Sequence, residues 1–166
     1  MALNMRVARH GDLGRIVQIY NETVASRSVT ADTEAVTVAQ RETWYQAHDP
    51  QKWPLWVATS ATGHILGWLS LSQYSDRAAY NGTAEISIYI DETARRQHLG
   101  SQMVDYVAAH VTEFGITHVL ARIISVNRAS LALFAAKGYA QWGLLPGVMA
   151  FEDGPRDLVV LGKAFN

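Results

Sequence analysis

Cysteine is missing altogether from these 166 residues, which removes disulfides, thiolate nucleophiles and cysteine-ligated metals in one step. Any thiol chemistry must then be brought by a cofactor. An excess of either charge is missing too: 14 basic side chains face 15 acidic ones, and no basic run exists beyond Arg95-Arg96. A nucleic-acid binder advertises a basic face, so nucleic acid is not an expected partner. No segment approaches the ~20 uninterrupted apolar residues needed to span a bilayer, and Met1 to Arg9 lacks the apolar stretch of a signal peptide. The expectation is a cytoplasmic protein with no membrane partner. The six histidines are dispersed without His-Glu-x-x-His or similar spacing, so no metal is expected. Gly-x-Gly-x-x-Gly and the Walker loop are also missing, which argues against a dinucleotide or P-loop nucleotide site.

What remains is a globular composition, 49% hydrophobic and 17% charged, with no repeat and no low-complexity linker. A single domain over 1–166 is the expectation. Met5 to Arg9 alternates as a short strand, and His10-Gly11-Asp12 leads into a helix with the stripe Leu13, Ile16, Val17, Ile19 and Tyr20. A polar stretch follows, then a second helix around Ala35 to His48, ended by Asp49-Pro50. Trp53 to Ala58 and His64 to Leu71 read as a hairpin. Thr83 to Ile90 alternates apolar Ala84, Ile86, Ile88 and Ile90 with Glu85, Ser87 and Tyr89, giving a strand with two chemically different faces. A helix carrying Met103, Val104, Val107, Ala108 and Val111 closes near Gly115. Ile116 to Ser125 is a strand and Arg128 to Lys137 a helix stopped by Gly138. Strands Tyr139 to Leu145 and Leu158 to Leu161 complete the chain.

The informative piece is the polar loop Arg95-Arg96-Gln97-His98-Leu99-Gly100-Ser101 between a strand and a helix. Unpaired N–H groups and the positive end of a helix dipole suit a pyrophosphate, arginine adds charge, and Gly100 permits close backbone approach. An ordinary solvated connection would carry the same residues. Downstream, Asn127-x-x-Ser130 opens a helix and is sufficient as a plain N-cap.

Four segments together resemble the GNAT N-acetyltransferases, and within them the phosphinothricin and methionine sulfoximine acetyltransferases. They are Ile19-Tyr20-Asn21, Glu85-x-Ser87-x-Tyr89, Arg95-x-x-x-x-Gly100, and Asn127-x-x-Ser130-x-x-Leu133-Phe134-x-x-x-Gly138-Tyr139. The resemblance implies an α+β GNAT fold: a mostly antiparallel twisted sheet, helices on both faces, and a central strand pair splayed to admit acetyl-coenzyme A. It implies that Ile88, Tyr89 and Ile90 pair with the pantetheine arm, that Arg95, Arg96, Gln97, His98, Leu99, Gly100 and Ser101 cradle the pyrophosphate, and that Asn127 and Ser130 contact the same co-substrate. Glu85 matches the general base. An aliphatic amine of pKa near ~10 is mostly protonated at neutral pH, so a nearby carboxylate is chemically apt. Tyr74, Ser75, Arg77, Glu85, Ile86 and Ser87 fall beside the small-molecule amine acceptor, and homodimers are common in the family, with Val148 to Phe151 as an apolar contact.

The departures from the family pattern are specific. His98 stands where the family loop has glycine, and Arg96 where many members have it. Phe134 stands where many members carry a tyrosine that protonates the leaving thiolate. The acceptor-binding arginines of the family have no counterpart at 73–75 or Asn81, leaving Arg77 and Arg27 as replacements. Trp44, Trp53, Trp56, Trp68 and Trp142, with Tyr74 and Tyr80, are candidates for an acceptor pocket, one or two of them at its rim. A non-catalytic acyl-coenzyme A sensor, or acetylation of a polyamine, an aminosugar or a protein N-terminus, stays open beside an amino-acid analogue as acceptor.

Overall fold

A computed structural model describes residues 4–166. Eleven elements run in the order β1 (Asn4–Val7), α1 (Leu13–Asn21), α2 (Val38–Gln46), β2 (Leu55–Thr59), β3 (Ile65–Gln73), β4 (Thr83–Ile90), α3 (Leu99–His110), β5 (His118–Ile124), α4 (Arg128–Ala136), β6 (Ala140–Phe151) and β7 (Gly154–Ala164), with short 3-10 turns between them. The seven strands form one sheet in the order β1-β2-β3-β4-β5-β7-β6. Every neighbouring pair is antiparallel except β4 and β5, which are parallel.

Both sheet faces are covered, and strand alternation shows how. In β2, Trp56 and Ala58 join a core with Met103, Val104 and Val107 of α3 and Phe134 of α4, whereas Leu55 and Val57 join Ile16, Ile19 and Tyr20 of α1. Side chains of period two on a strand point to opposite faces, so β2 is buried along its whole length. Each fully buried aliphatic residue, such as Leu69 or Val107, contributes about 2–3 kcal/mol relative to an exposed one.

Two boundaries differ from the sequence reading, each for a local reason. Helix α2 starts at Val38 rather than near Ala35 because Thr37 and Gln40 form a reciprocal capping box: Gln40 N–H donates to Thr37 Oγ1 (3.2 Å) and Thr37 N–H to Gln40 Oε1 (2.7 Å). The terminal strands run on to Phe151 and back from Gly154, well beyond the expected Leu145 and Leu158. Pro146 and Gly147 read as a break, yet they occupy an irregularity between Leu145↔Leu158 and Met149↔Arg156 on the outermost strand, where a proline costs no ladder hydrogen bond. Gly147, at φ +64°, donates its N–H to Asp157 Oδ1 (2.8 Å).

Trp56 and Trp68 are buried core residues, and Trp44 packs edge-on against Trp68 at 5.4 Å between ring centroids. Trp142 lies half exposed over Gly162, where an added Cβ would come within 2.1 Å of the indole. Tyr139 is buried with its ring edge-on to Phe134 at 4.9 Å, and its hydroxyl has no hydrogen-bond partner among the described residues. Discarding an unsatisfied buried hydroxyl while keeping the ring removes a desolvation penalty. Tyr139→Phe is therefore expected to hold or raise stability, by up to about 1 kcal/mol in urea unfolding.

Candidate active site

The pairing of β4 with β5 sets the site. Register runs Thr83↔His118, Ala84↔Val119 and Glu85↔Leu120, and then stops, although both strands continue. The strands part beyond Glu85 into a cleft of about 370 Å³, lined by Ile86 to Ile90 on one wall and Ala121 to Ile123 with residues of α4 on the other. Asp91 N–H bonds Leu66 O (2.9 Å) on the β3 side. By alternation the amide and carbonyl of Ile88 and Ile90 turn toward β5, into the cleft. The Ile90 carbonyl accepts Arg95 Nε (3.2 Å), while the Ile88 groups are left for an extended partner.

At the far end of β4 lies the loop into α3. Among the described residues, no backbone N–H from Arg95 through Ser101 has a hydrogen-bond partner in the protein. Seven consecutive unpaired donors at a helix N-terminus make a cradle of the kind that suits an anion. Arg96 (φ +61°) and His98 (φ +60°) both adopt left-handed backbone, the region that glycine occupies freely and that costs other residues about 1–2 kcal/mol. These are the two positions at which the sequence departs from the glycines of the family loop. Gly100 is buried in the first turn of α3, where an added Cβ would press on Leu133 Cδ2 (3.1 Å) and Ile90 Cδ1 (3.3 Å); its missing side chain lets α3 pack against α4 and β4. Arg95 is held by Glu22, whose Oε2 accepts Glu92 N–H (2.8 Å) and lies 3.6 Å from Arg95 Nη2.

On the opposite wall Asn127 caps α4, its Oδ1 accepting Ser130 N–H (3.1 Å), and both residues line the cleft. Its Nδ2 is left to donate elsewhere. Phe134, also on the wall, brings no proton donor. Tyr89 stacks on Trp68 at 4.5 Å and borders the cleft; burial raises its phenol pKa, so it stays protonated.

Of the residues expected from sequence, Ile86, Ser87, Ile88, Tyr89, Ile90, Arg95, Asn127 and Ser130 line this cleft; Arg96, Gln97, His98, Leu99, Gly100 and Ser101 follow Arg95 in the same loop but are not among its lining residues. Tyr74, Ser75, Arg77 and Glu85 are not among its lining residues; Tyr74 is edge-on to Tyr80, and Glu85 precedes the lining stretch of β4 by one residue. No tryptophan lines it. Arg27 donates to the Thr33 carbonyl. Thr23 and Val29 do line it, from the segment between α1 and α2. Tyr20 and Asn21 moor that segment: the Tyr20 hydroxyl bonds Thr30 and Asp32, and the Asn21 amide bonds both the N–H and C=O of Val36 at 2.9 Å.

Glu85 sits where the strands begin to part. Its carboxylate meets Arg122 Nη2 at 2.8 Å, with half the Arg122 side chain exposed, a pair worth about 1 kcal/mol or less. Sequence reasoning missed Arg122, which sits in a strand otherwise read as apolar. Ser72 is the register partner of Glu85 on β3, so its side chain shares that face. His48 Nε2 lies 3.2 Å from Ser72 Oγ, and His48 Nδ1 lies 2.8 Å from the Trp44 carbonyl. A carbonyl only accepts, so Nδ1 carries the proton and Nε2 accepts from the Ser72 hydroxyl.

The sequence signature described as "Acetyltransferase (GNAT) family" matches residues 16–139. The chain belongs to this family of acetyltransferases. YwnH of Bacillus subtilis (strain 168), provisionally assigned as a phosphinothricin acetyltransferase, is 42% identical over 164 residues, covering 99% of this chain and 100% of that one. The L-methionine sulfoximine/L-methionine sulfone acetyltransferase of Pseudomonas paraeruginosa (strain DSM 24068 / PA7) is 30% identical over 148 residues, 89% of this chain and 86% of that one. A crystal structure provisionally assigned as a phosphinothricin N-acetyltransferase matches with a TM-score of 0.95 at 41% identity over 99% of both chains. The GNAT phosphinothricin acetyltransferase of Sinorhizobium meliloti, solved in complex with AcCoA, shares the fold with a TM-score of 0.92 at 24% identity, over 100% of this chain and 90% of that one.

Burial depresses the His48 pKa below its ordinary 6.5 because it penalises imidazolium. Below pH 6.5 the unfolded chain takes up a proton that the folded chain refuses, so stability present above that pH is lost as pH falls toward the folded pKa. The unfolding free energy from denaturant titration is expected to drop between pH 7.5 and 5.5, by at most about 1.4 kcal/mol per pH unit from this group, and His48→Gln is expected to lack that component.

Proposed function

We propose that this protein is a single-domain acetyltransferase over 1–166 that transfers the acetyl group of acetyl-coenzyme A to the primary amine of an amino acid or amino-acid analogue. Methionine sulfone, methionine sulfoximine and phosphinothricin are the first candidates, by likeness to the relatives' named substrates. The observation that carries the reading is the parted β4–β5 seam with an anion cradle at one end and a carboxylate at the other. The residues fit the co-substrate: the unpaired Ile88 amide and carbonyl suit an extended pantetheine arm, and seven free N–H groups with Arg95 suit a pyrophosphate. Bound there, acetyl-coenzyme A supplies an activated acyl carbon whose thioester C–S bond is exchanged for an amide C–N bond.

Glu85 removes the proton of the acceptor ammonium, directly or through a water, leaving a nucleophilic amine. The Ile88 N–H donates to the carbonyl oxygen as negative charge grows on it. Phe134 keeps that wall apolar, and the proton needed by the departing sulfur comes from solvent. Among the described residues, Arg95 and Arg122 are the charged residues that line the cleft, and the Glu85 carboxylate at its end is paired with Arg122. That favours an acceptor bearing an anion over a polyamine or an aminosugar, which would call for an acidic pocket. A sensor without turnover would need the cradle but not a carboxylate at the opposite end.

Thiol release with acetyl-coenzyme A and a panel of amino acids, polyamines and aminoglycosides tests the assignment. Glu85→Gln is expected to lower kcat about 100- to 10,000-fold with little effect on coenzyme A binding. Coenzyme binding with no turnover of any amine would favour the sensor.

The reading makes the protein cytoplasmic, where acetyl-coenzyme A is available, and a homodimer. Among the described residues no helix is long and apolar enough to cross a membrane. In support of the dimer, Trp142, Leu144, Leu145 and Val148 of the outermost strand are exposed, whereas Phe151, at the end of the contact segment expected from sequence, is buried. Leu144→Asp is expected to shift sedimentation toward a monomer while leaving circular dichroism intact.

A further inference from the structure

Resting on the acceptor class just proposed, the structure assigns a second role at the same site: Arg122 holds the α-carboxylate of the acceptor, and that contact releases Glu85 to act as base. The Glu85 carboxylate and the Arg122 guanidinium touch at 2.8 Å on the face of the sheet shared with Ser87. Arg122 lies two residues beyond Leu120, the last β5 residue paired with β4, so it stands at the mouth of the seam; it is one of the residues lining the cleft, and its guanidinium reaches Glu85. The other cleft-lining arginine, Arg95, lies beyond the opposite end of β4 and is engaged by Glu22 and the Ile90 carbonyl. From Glu85 to Ile90 the strand spans about 16 Å, so the two cations serve different groups.

An α-amino acid carries an ammonium and a carboxylate on adjacent atoms. The Glu85–Arg122 pair offers their complements side by side. Inserting the zwitterion exchanges one ion pair within the protein for two with the ligand, without stranding either charge. Neither arginine expected from sequence is paired with Glu85 among the described residues: Arg77 makes no ion pair with it, and Arg27 donates to the Thr33 carbonyl. A primary amine without a carboxylate leaves Arg122 on Glu85, competing for the carboxylate that must take the proton. Arg122 thus works both as a specificity determinant and as a brake on the base.

The test compares L-methionine sulfone with its decarboxylated counterpart, 3-(methylsulfonyl)propylamine, in wild type, Arg122→Met, Arg122→Lys and Glu85→Gln. Steady-state kinetics are paired with calorimetric binding in the presence of coenzyme A. Wild type is expected to favour the amino acid. Arg122→Met is expected to raise its KM about 10- to 100-fold, to weaken its binding in parallel, and to collapse the preference over the amine toward one. Arg122→Lys is expected to restore part of it, since lysine keeps the charge but loses the planar fork. A preference that survives intact in Arg122→Met overturns the inference, as does equal binding of the two compounds to wild type. Calorimetry decides the question even where turnover is too slow to measure. Full activity in Glu85→Gln would sink the assignment of the base while leaving the Arg122 dependence of KM standing.

Discussion

Strands β4 and β5 exchange backbone hydrogen bonds over three residue pairs and then diverge, and each N–H and C=O beyond that point needs a partner from somewhere else. Parallel pairing ordinarily runs unbroken through a buried sheet, so a gap in the middle is unfavourable unless something fills it. Helices α3 and α4 pack against each other across the gap through Gly100 and Leu133, and the carbonyl of Ile90 is capped by Arg95. What stays open is narrow and elongated, with backbone donors and acceptors along its length. The cradle before α3 continues it, because the loop leaves β4 at the point where the seam is widest.

Charge is distributed along that seam with little redundancy. Glu22 joins three elements by accepting from Glu92 N–H and lying beside both Arg95 and Arg15, while Arg15 also pairs with Asp91. This network fixes the start of the anion loop from the α1 side. Glu85 and Arg122 stand apart from it as a pair, with half of the Arg122 side chain exposed. The first network joins several elements around the partly buried Glu22 and Asp91, while the second is a single pair with an accessible guanidinium, which is the division expected between a scaffold and a reacting centre.

Much of this was legible in the residues. Alternation marked β4 and the face of Glu85, and the loop before α3 was visible as a polar interruption between a strand and a helix. Asn127-x-x-Ser130 was visible as a helix start, and the structure gives it that cap. Arg122 was not legible, because its meaning depends on β5 lying parallel to β4 with Leu120 opposite Glu85, a pairing between distant segments that no local pattern encodes. Thr23 and Val29 were hidden for a related reason: they reach the cleft only because Tyr20 and Asn21 tie a polar segment down by side-chain bonds. The tryptophans misled by size. Large aromatics serve a small core first, and Trp56 and Trp68 do so here.

The two walls differ in what they are made of, and this bears on how such a protein can change over generations. The seam and the cradle present main-chain groups, which every amino acid carries, so substitution there alters strain rather than the pattern of donors. Arg96 and His98 show it, keeping a left-handed course that glycine would take more cheaply. The other wall, which the proposed reading gives to the acceptor, presents side chains on β5 and on a moored segment outside the sheet. Mutation can redraw that side one residue at a time while the backbone wall goes on recognising the same partner, so new acceptors are within reach of a scaffold whose other half stays fixed.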